Sequence, residues 1–538
     1  MDPYRSDHGA RASATDSPHD QGIVGDIIAQ FADPLAFYRE LIQNSIDAGS
    51  PTIEVKLEYD VGACVVRVAV RDRGEGMTRD ILENQLLVLF RSTKEKDDTK
   101  IGKFGIGFTS VLSPNPEVVV VQSSRDGRRL TLHLMRDLTY QLFDAGPATQ
   151  TGTIVGLDLA MRADQVEQFA RDSIDALTRW CRHASVPLTF VAQLPDGGKL
   201  EARIDRPLAL DHALVEVTRT TDGGKLTAVV GLLSEAAEYV GFFNHGLTLK
   251  ESGQMFGRVA VKLQDGRLGH TLSRDDVRRD ANLTRAIEFA NEVIAHELPA
   301  AASRALHEAA QRDHDRWWQL AKAICQARVE LARDAWWFPL LAASGQALAI
   351  QGGGLGKLVW IASSPSALTA RLIERGDRVL VARSADRDSL RTMLRGVAPC
   401  NVNDVEVLTA ITPEPPTDAD VALLALMNER FALGFRAPRV LFLATFEGKH
   451  ADALAIACGD EVPQLVDDDE ATKNPFGRRT RGLALSVHHE WLVAARACDP
   501  RIGASLLVRV LLDSHGVLDV ARSTSLLDEA LTKLGVDT

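Results

Sequence analysis

The feature that most constrains the fold is a period-two alternation of apolar residues early in the chain. Apolar side chains recur at every second position in two runs, which are Ile53, Val55, Leu57 and Tyr59, followed by Val66, Val68 and Val70. Such alternation is typical of strands with one buried face, and it predicts a β-hairpin that ends at Asp72. Further strands are predicted over 117–123, 129–135 and 151–159. An antiparallel sheet with helices on one side would bury the apolar face.

A helix is predicted just before this hairpin, from the start signal at Asp33-Pro34 to the stop signal at Gly49. Its apolar stripe is Leu35, Tyr38, Ile42 and Ile46. At roughly 100° per residue, Glu40, Asn44 and Asp47 gather on the opposite side. A carboxylate one turn before an amide oxygen can hold an attacking water and a Mg²⁺ ion side by side. For this segment alone, a solvated helix face is the simpler explanation.

The second segment with chemical potential is Asp72-Arg73-Gly74-Glu75-Gly76-Met77, directly after the predicted hairpin. A carboxylate after a buried strand can accept a hydrogen bond from an exocyclic amine, and the two glycines allow the backbone to approach a flat ring closely. Met77 would form an adaptable apolar wall for such a ring. Ordinary turn chemistry would also explain this motif when it is taken alone.

The third segment is the glycine-rich run Ile101-Gly102-Lys103-Phe104-Gly105-Ile106-Gly107-Phe108. Its glycines precede a predicted short helix, so backbone N–H groups and the helix N-terminus can both face an anion. A mobile loop is an equally good explanation of the run taken alone. The spacing of its glycines differs from that of a Walker phosphate-binding loop.

Together and in this order, the three segments resemble the nucleotide-binding signature of the GHKL ATPases, which include gyrase-type topoisomerases, ninety-kilodalton heat-shock chaperones, histidine kinases and MutL-type proteins. The resemblance implies a Bergerat-type α/β sandwich that binds Mg-ATP. It implies that Glu40 is the general base, that Asn44 binds Mg²⁺ with Asp47 supporting the same helix face, and that Asp72 recognises the adenine amino group. The remaining residues implied to contact the nucleotide are Gly74, Gly76, Met77, Gly102, Lys103, Phe104, Gly105, Ile106, Gly107, Phe108 and Thr153.

Two further segments resemble the heat-shock chaperone branch, and the chain is most like a divergent bacterial member of it. The run from Glu83 to Lys94 resembles the segment beside the lid, which makes Asn84, Arg91 and Lys94 candidates for nucleotide contact and leaves open which basic residue meets phosphate. The run 269–277 resembles the middle-domain loop, in which Arg274 would reach the γ-phosphate. An ordinary surface ion pair of Arg274 with a neighbouring aspartate is the alternative.

The predicted architecture is an α+β multidomain protein. Its predicted parts are a flexible arm over 1–21, a GHKL ATP-binding domain over 22–200, a middle α/β and helical domain over 201–345, a small α/β unit over 346–480 and a helical C-terminal dimerisation segment over 481–538. Within these parts, residues 299–345 and 483–535 are predicted to be helical. The C-terminal segment resembles the dimerisation region of the chaperone branch only faintly.

Charge and hydropathy separate the remaining function classes. Lys plus Arg number 61 against 73 Asp plus Glu, and the resulting charge of −12 disfavours nucleic acid as a partner. No run approaches the roughly 18 apolar residues of a membrane span, so a cytoplasmic location without membrane contact is expected. We expect a slow chaperone-like ATPase that closes as a homodimer on protein clients. The alternatives are a MutL- or MORC-like ATPase acting on DNA, and a nucleotide-gated scaffold in stress or phage defence.

Overall fold

The computed structural model describes residues 33–87, 105–235, 238–253, 255–271, 276–432, 438, 440–477 and 480–533. The chain forms two compact units that meet in sequence at residues 301 and 302, with residues 326–329 belonging to the first. Several predictions fall outside the described residues. These are the arm over 1–21 and the site candidates Arg91, Lys94, Gly102, Lys103, Phe104 and Arg274.

The described part of the first unit contains an eight-stranded sheet in the order β5-β4-β3-β6-β2-β1-β7-β8. The strands are β1 (Ile53–Asp60), β2 (Val65–Asp72), β3 (Val118–Arg125), β4 (Arg128–Met135), β5 (Tyr140–Pro147), β6 (Gly152–Ala160), β7 (Leu188–Gln193) and β8 (Lys199–Arg203). The predicted hairpin is confirmed, with Ile53 opposite Asp72. The prediction of an antiparallel sheet is wrong at one pair, because β7 returns through a helix and pairs with β1 in parallel.

Two helices, α1 (Phe37–Asp47) and α2 (Val166–Cys181), are joined by a hydrogen bond from Tyr38 Oη to Ser173 Oγ at 3.0 Å. Asp33 Oδ1 accepts a hydrogen bond from the backbone N–H of Leu35, so Asp33 caps a turn that precedes α1. The helix itself begins at Phe37, three residues after the predicted first position, Pro34. The buried face of α1 contains Phe37, Tyr38, Leu41, Ile42 and Ser45, whereas the predicted stripe members Leu35 and Ile46 are only half-buried.

A second sheet of the first unit has the order β12-β11-β13-β10-β9 within the described residues. Its strands are β9 (Ala213–Thr221), β10 (Leu226–Leu233), β11 (Val240–Asn244), β12 (Leu247–Ser252) and β13 (Ala260–Asp265), and helix α3 (Ala281–His296) contacts β10 and β13. Thr248 Oγ1 donates to the backbone carbonyl of Arg179 at 2.9 Å, which ties this sheet to α2.

The second unit contains two five-stranded sheets in its described part, with the orders β15-β14-β17-β16-β18 and β21-β23-β20-β19-β22. The strands are β14 (Trp337–Leu341), β15 (Ala347–Gln351), β16 (Leu358–Ala362), β17 (Val379–Val381), β18 (Asn401–Asp404), β19 (Thr409–Glu414), β20 (Val440–Gly448), β21 (Ala455–Cys458), β22 (Leu465–Val466) and β23 (Gly482–Ser486). The longer helices of this region are α4 (Leu298–Arg312), which crosses the unit boundary, α5 (His314–Ala327), α6 (Ala367–Glu374), α7 (Arg387–Val397), α8 (Asp418–Phe431), α9 (Glu490–Arg496), α10 (Pro500–Ser514) and α11 (Val520–Lys533).

Two helical predictions are wrong in part. Trp337 opens strand β14 inside the run 299–345, and the run 483–535 begins within strand β23, which is buried along its whole length. Both strands are five-residue apolar runs, and periodicity alone does not separate such a run from a buried helix segment. No helix of the described residues is long and apolar enough to cross a bilayer.

Candidate functional site

A cavity of about 270 Å³ opens between helix α1, the end of strand β2, the turn after it and strand β6. It is lined by Leu41, Asn44, Ser45, Asp47, Ala48, Val70, Asp72, Glu75, Gly76, Met77, Ile81, Gln85, Leu86, Phe108, Thr153 and Val155. The volume is close to the lower limit of roughly 300 Å³ for small-molecule sites, and apolar walls with a few polar groups are typical of such sites. The cavity therefore combines residues from all three of the segments selected by sequence.

Asp72 is the acidic group of this cavity, at the last position of β2. Its Oδ1 atom accepts hydrogen bonds from the backbone N–H groups of Gly74 at 2.8 Å and Thr153 at 3.1 Å. Burial raises the pKa of the Asp72 carboxyl, and these two N–H groups together with the Ser45 hydroxyl act in the opposite direction. The carboxyl is thus held in a fixed orientation by strand β6 and by its own turn.

The two glycines of the turn are required by close contacts. A Cβ atom at Gly74 would lie 2.6 Å from the carbonyl oxygen of Ala48, the residue that directly follows α1. Gly76 has a positive φ of +71°, and a Cβ atom there would lie 2.2 Å from the carbonyl oxygen of Ser124. The turn is therefore packed between α1 and β3, and this packing places Met77 against the cavity.

The polar face of α1 borders the cavity at Asn44 and Asp47, whose side chains are exposed to solvent. Gln43 Nε2 donates a hydrogen bond to Asp47 Oδ1 at 2.9 Å. Glu40 is half-buried and lies outside the lining of the cavity, one helical turn ahead of Asn44 on the same side of α1.

The glycine-rich segment contributes to the lining of the cavity, whereas Asn84, in the segment after the turn, does not. Phe108, which is 2% exposed, lines the cavity from the short helix Gly105–Phe108, and Gly107 is buried. The side chain of Ile106 lies outside the described residues. Asn84 is exposed and donates from Nδ2 to Asp80 Oδ1 at 2.7 Å, and it is not among the residues that line the cavity.

Sequence reasoning did not select several lining or supporting residues, among them Ser45, Ile81, Gln85, Leu86 and Ser123. Ser123 Oγ accepts the backbone N–H of Met77 at 2.8 Å and lies 3.0 Å from Thr153 Oγ1. Only the pairing register of β3 with β6 places Ser123 opposite Thr153. Ser45 carried a local signal, because it lies four residues after Leu41 on the buried side of α1.

Residues 38–145 match the family model described as histidine kinase-, DNA gyrase B-, and HSP90-like ATPase. The chain contains a GHKL-type ATPase domain. The matched segment includes α1, the Asp72 turn and the glycine-rich segment, and the model describes the three branches together, so it assigns the domain to the superfamily and to no single branch. No curated protein matches the chain.

The oxygen donors around this domain's cavity suit a Mg²⁺ ion that arrives with a nucleotide. Asn44 offers one amide oxygen at the cavity wall, with the Asp47 carboxylate one turn away. No group of three or more His, Cys, Asp or Glu side chains in the described part of the chain is arranged to hold a metal ion. Mg²⁺ commonly takes one or two protein oxygens and completes its shell with water and substrate phosphates, so these residues fit the ion.

Proposed function

We propose that this protein is a chaperone-like ATPase that binds and hydrolyses Mg-ATP and closes as a clamp on protein clients. Nucleotide binding is supported above all by the Asp72 carboxyl, which lines a cavity together with Gly76 and Met77 of the turn that follows it. Asp72 offers an acceptor to an exocyclic amine, and the turn offers an apolar surface to a flat ring. The match of residues 38–145 to the GHKL family supports the same assignment.

Hydrolysis would use the polar face of α1. Mg²⁺, when bound, supplies positive charge that neutralises the phosphate oxygens. Asn44 would hold the ion through its amide oxygen, and Glu40, one turn ahead, would accept a proton from the attacking water. Because Glu40 lies outside the lining of the cavity, the reacting phosphate would lie toward the N-terminal end of α1.

The loop 269–277 supports a link between the second sheet of the first unit and the ATP site. Its base is closed by the His270–Val277 bridge and by a bond from the N–H of Arg278 to the carbonyl of Gly269 at 2.7 Å. His270 contacts the guanidinium of Arg39, the residue directly before Glu40. His270, four residues before Arg274 in the chain, therefore contacts the neighbour of the proposed general base. Asp276, one possible ion-pair partner of Arg274, already contacts Lys250 Nζ at 2.9 Å.

Self-association would involve the segment 481–538, on the resemblance to the chaperone branch. Trp491 and Val493 on α9 are 40% and 52% exposed, and Val520 at the start of α11 is 85% exposed. Apolar side chains of this kind can be covered by a second copy or by a client. Mass measurement by light scattering, with and without a non-hydrolysable ATP analogue, tests this part. We expect a dimer mass in both states and a smaller hydrodynamic radius, from dynamic light scattering of the same samples, with the analogue; a monomer in both states would contradict the clamp.

The test of hydrolysis is phosphate release by the full chain and by Glu40→Ala. We expect ATP affinity to be retained and turnover to fall by about 10²-fold or more, because the general base is removed. Glu58→Ala is a matched control, since Glu58 is an exposed acid on β1 of the same unit. Unchanged turnover in Glu40→Ala would remove the assignment of the base.

One observation favours the second candidate, an ATPase acting on nucleic acid. Arg387, Arg391 and Arg395 are exposed on α7 at a spacing of four residues, about 6 Å apart along one side of the helix. The apolar face of α7, with Leu390 and Leu394, is buried, so the helix offers no apolar face for insertion into a bilayer. Guanidinium groups form bidentate hydrogen bonds with phosphates, so such a row suits a nucleic-acid backbone.

Binding of labelled DNA at low salt tests this candidate, with all three α7 arginines replaced by alanine. Each lost phosphate contact should lower the slope of log affinity against log salt by about 0.9. The charge-matched control replaces Arg136, Arg162 and Arg171, which form ion pairs at 3.0, 3.0 and 2.6 Å in the first unit. Equal behaviour of the two triple variants would exclude α7 as the binding surface.

A further inference from the structure

We propose that Ser123 sets which nucleobase the cavity accepts, by fixing the direction in which the Thr153 hydroxyl donates its hydrogen bond. This inference rests on the proposed function, since it concerns the ring-binding side of the same cavity. Ser123 and Thr153 face each other across the antiparallel strands β3 and β6. The Ser123 side chain is fully buried, and Thr153 is 7% exposed and reaches the lining of the cavity.

Ser123 links the apolar wall of the cavity to its polar base. Its Oγ atom accepts the backbone N–H of Met77 at 2.8 Å and lies 3.0 Å from Thr153 Oγ1. The backbone N–H of Thr153 donates to Asp72 Oδ1 at 3.1 Å. One buried hydroxyl therefore contacts both the residue that forms the ring wall and the residue next to the acidic group.

The number of available protons determines which of the two hydroxyls donates the hydrogen bond between them. Each hydroxyl carries one proton, and the Ser123–Thr153 bond uses one of the two. If Thr153 donated, the proton of Ser123 would be buried with no other acceptor within the described residues. If Ser123 donates, both of its bonds are satisfied and the proton of Thr153 remains for a group in the cavity. The second arrangement places the one unpaired proton on Thr153, which lines the cavity and can donate to a ligand or water there, so it is the favoured one.

The resulting pair of groups has a defined polarity. Asp72 presents an acceptor and Thr153 presents a donor at the same end of the cavity. A six-membered ring with an exocyclic amine next to an unprotonated ring nitrogen complements this pair, as the edge of adenine does. A 6-oxopurine presents an oxygen and a ring N–H in the same positions, and this reversed pattern opposes both protein groups. A site whose polar groups are left unpaired by the wrong ligand discriminates strongly.

The experiment compares the affinities of ATP and inosine triphosphate, which differ only at this edge of the ring, for the full chain and for Ser123→Ala. We expect the native chain to bind ATP more tightly than inosine triphosphate. In Ser123→Ala, the ratio of the ATP affinity to the inosine triphosphate affinity should fall by about tenfold, because the Thr153 hydroxyl becomes free to accept a hydrogen bond as well as to donate one. Ser124→Ala is the matched control, since its side chain lies on the opposite face of β3 and the ratio should not change.

Each outcome bears on a different claim. A folded Ser123→Ala chain with an unchanged ratio, or a native chain that binds both nucleotides equally, would overturn the role of Ser123 and leave nucleotide binding intact. If Ser123→Ala fails to fold, Thr153→Val carries the test, since it removes the donor at nearly constant shape and should lower the ratio in the same way. Failure of the native chain to bind either nucleotide would overturn the proposed function, and the inference with it.

Discussion

Replacement of Gly76 by alanine adds one methyl group to the turn that carries Met77. A Cβ atom at this position would lie 2.2 Å from the carbonyl oxygen of Ser124, well below the 3.0 Å that real Cβ atoms respect. The turn or strand β3 must therefore move, and with it the apolar wall of the cavity. The positive φ of +71° adds backbone strain that any L-residue would suffer.

Gly127 provides a matched control for this substitution. Its φ is +75°, close to that of Gly76, and a Cβ atom there would meet nothing within 4 Å. In both alanine variants the free energy of unfolding should fall by about 1–2 kcal/mol, because an L-residue is strained in the left-handed backbone conformation. Only Gly76→Ala carries the steric contact, which should cost a further 1–3 kcal/mol or so by comparison with overpacked interiors. The difference between the two variants isolates the packing of the turn.

Thermal unfolding and calorimetric titration with ATP provide the two measurements. We expect Gly76→Ala to unfold at lower temperature than Gly127→Ala and to bind ATP at least about tenfold more weakly, since Met77 is displaced from the ring. Gly127→Ala should bind ATP as the native chain does. If both variants are equally stable and bind ATP within about twofold of one another, the argument that the turn is packed against β3 to form the site is refuted.

Three further results are expected. Burial raises the pKa of the Asp72 carboxyl in the folded chain, so protonated Asp72 stabilises the ligand-free fold and this stabilisation is lost as pH rises through the folded pKa. Near pH 7, Asp72→Asn should therefore have a higher unfolding temperature than the native chain, and the difference should narrow on acidification. A difference that does not depend on pH would contradict the raised pKa of Asp72. Arg274→Ala should bind ATP normally and lose most hydrolysis, as measured by phosphate release, and normal turnover would break the proposed link between the loop 269–277 and the ATP site. Chelation of Mg²⁺ should abolish hydrolysis in the native chain, and Asn44→Ala should need a higher Mg²⁺ concentration for half-maximal turnover, while an unchanged Mg²⁺ requirement would remove Asn44 as the ligand.

The sequence was most informative where the site is built from local geometry. Asn44 and Asp47 lie on one side of α1 because helical periodicity dictates it, and Asp72 ends a strand because alternation ends there. The two glycines in the turn after Asp72 were predicted to let the backbone approach a flat ring, which stays a prediction. What the structure shows is that each glycine packs against protein backbone, Gly74 against Ala48 and Gly76 against Ser124. Such features depend on a few neighbouring residues, so one sequence contains them.

Features that depend on strand pairing were not predictable. Ser123 becomes part of the site only through its register with Thr153, 30 residues later. Strand β5, at one edge of the first sheet, is largely accessible and lacks a regular alternation of buried and exposed positions. Tertiary context also decided that β14 and β23 are strands, since their short apolar runs suit a buried helix equally well.

The central claim is that ATP binds in the cavity lined by Asp72, and calorimetric titration of Mg-ATP into the full chain tests it most directly. The native chain should bind one ATP per polypeptide, and Asp72→Asn should abolish that binding, because an amide NH₂ replaces an acceptor that faces the adenine amine. The unfolding temperature of the variant shows whether it is folded. Absence of binding to the native chain, or equal ATP affinity in folded Asp72→Asn, would contradict the claim.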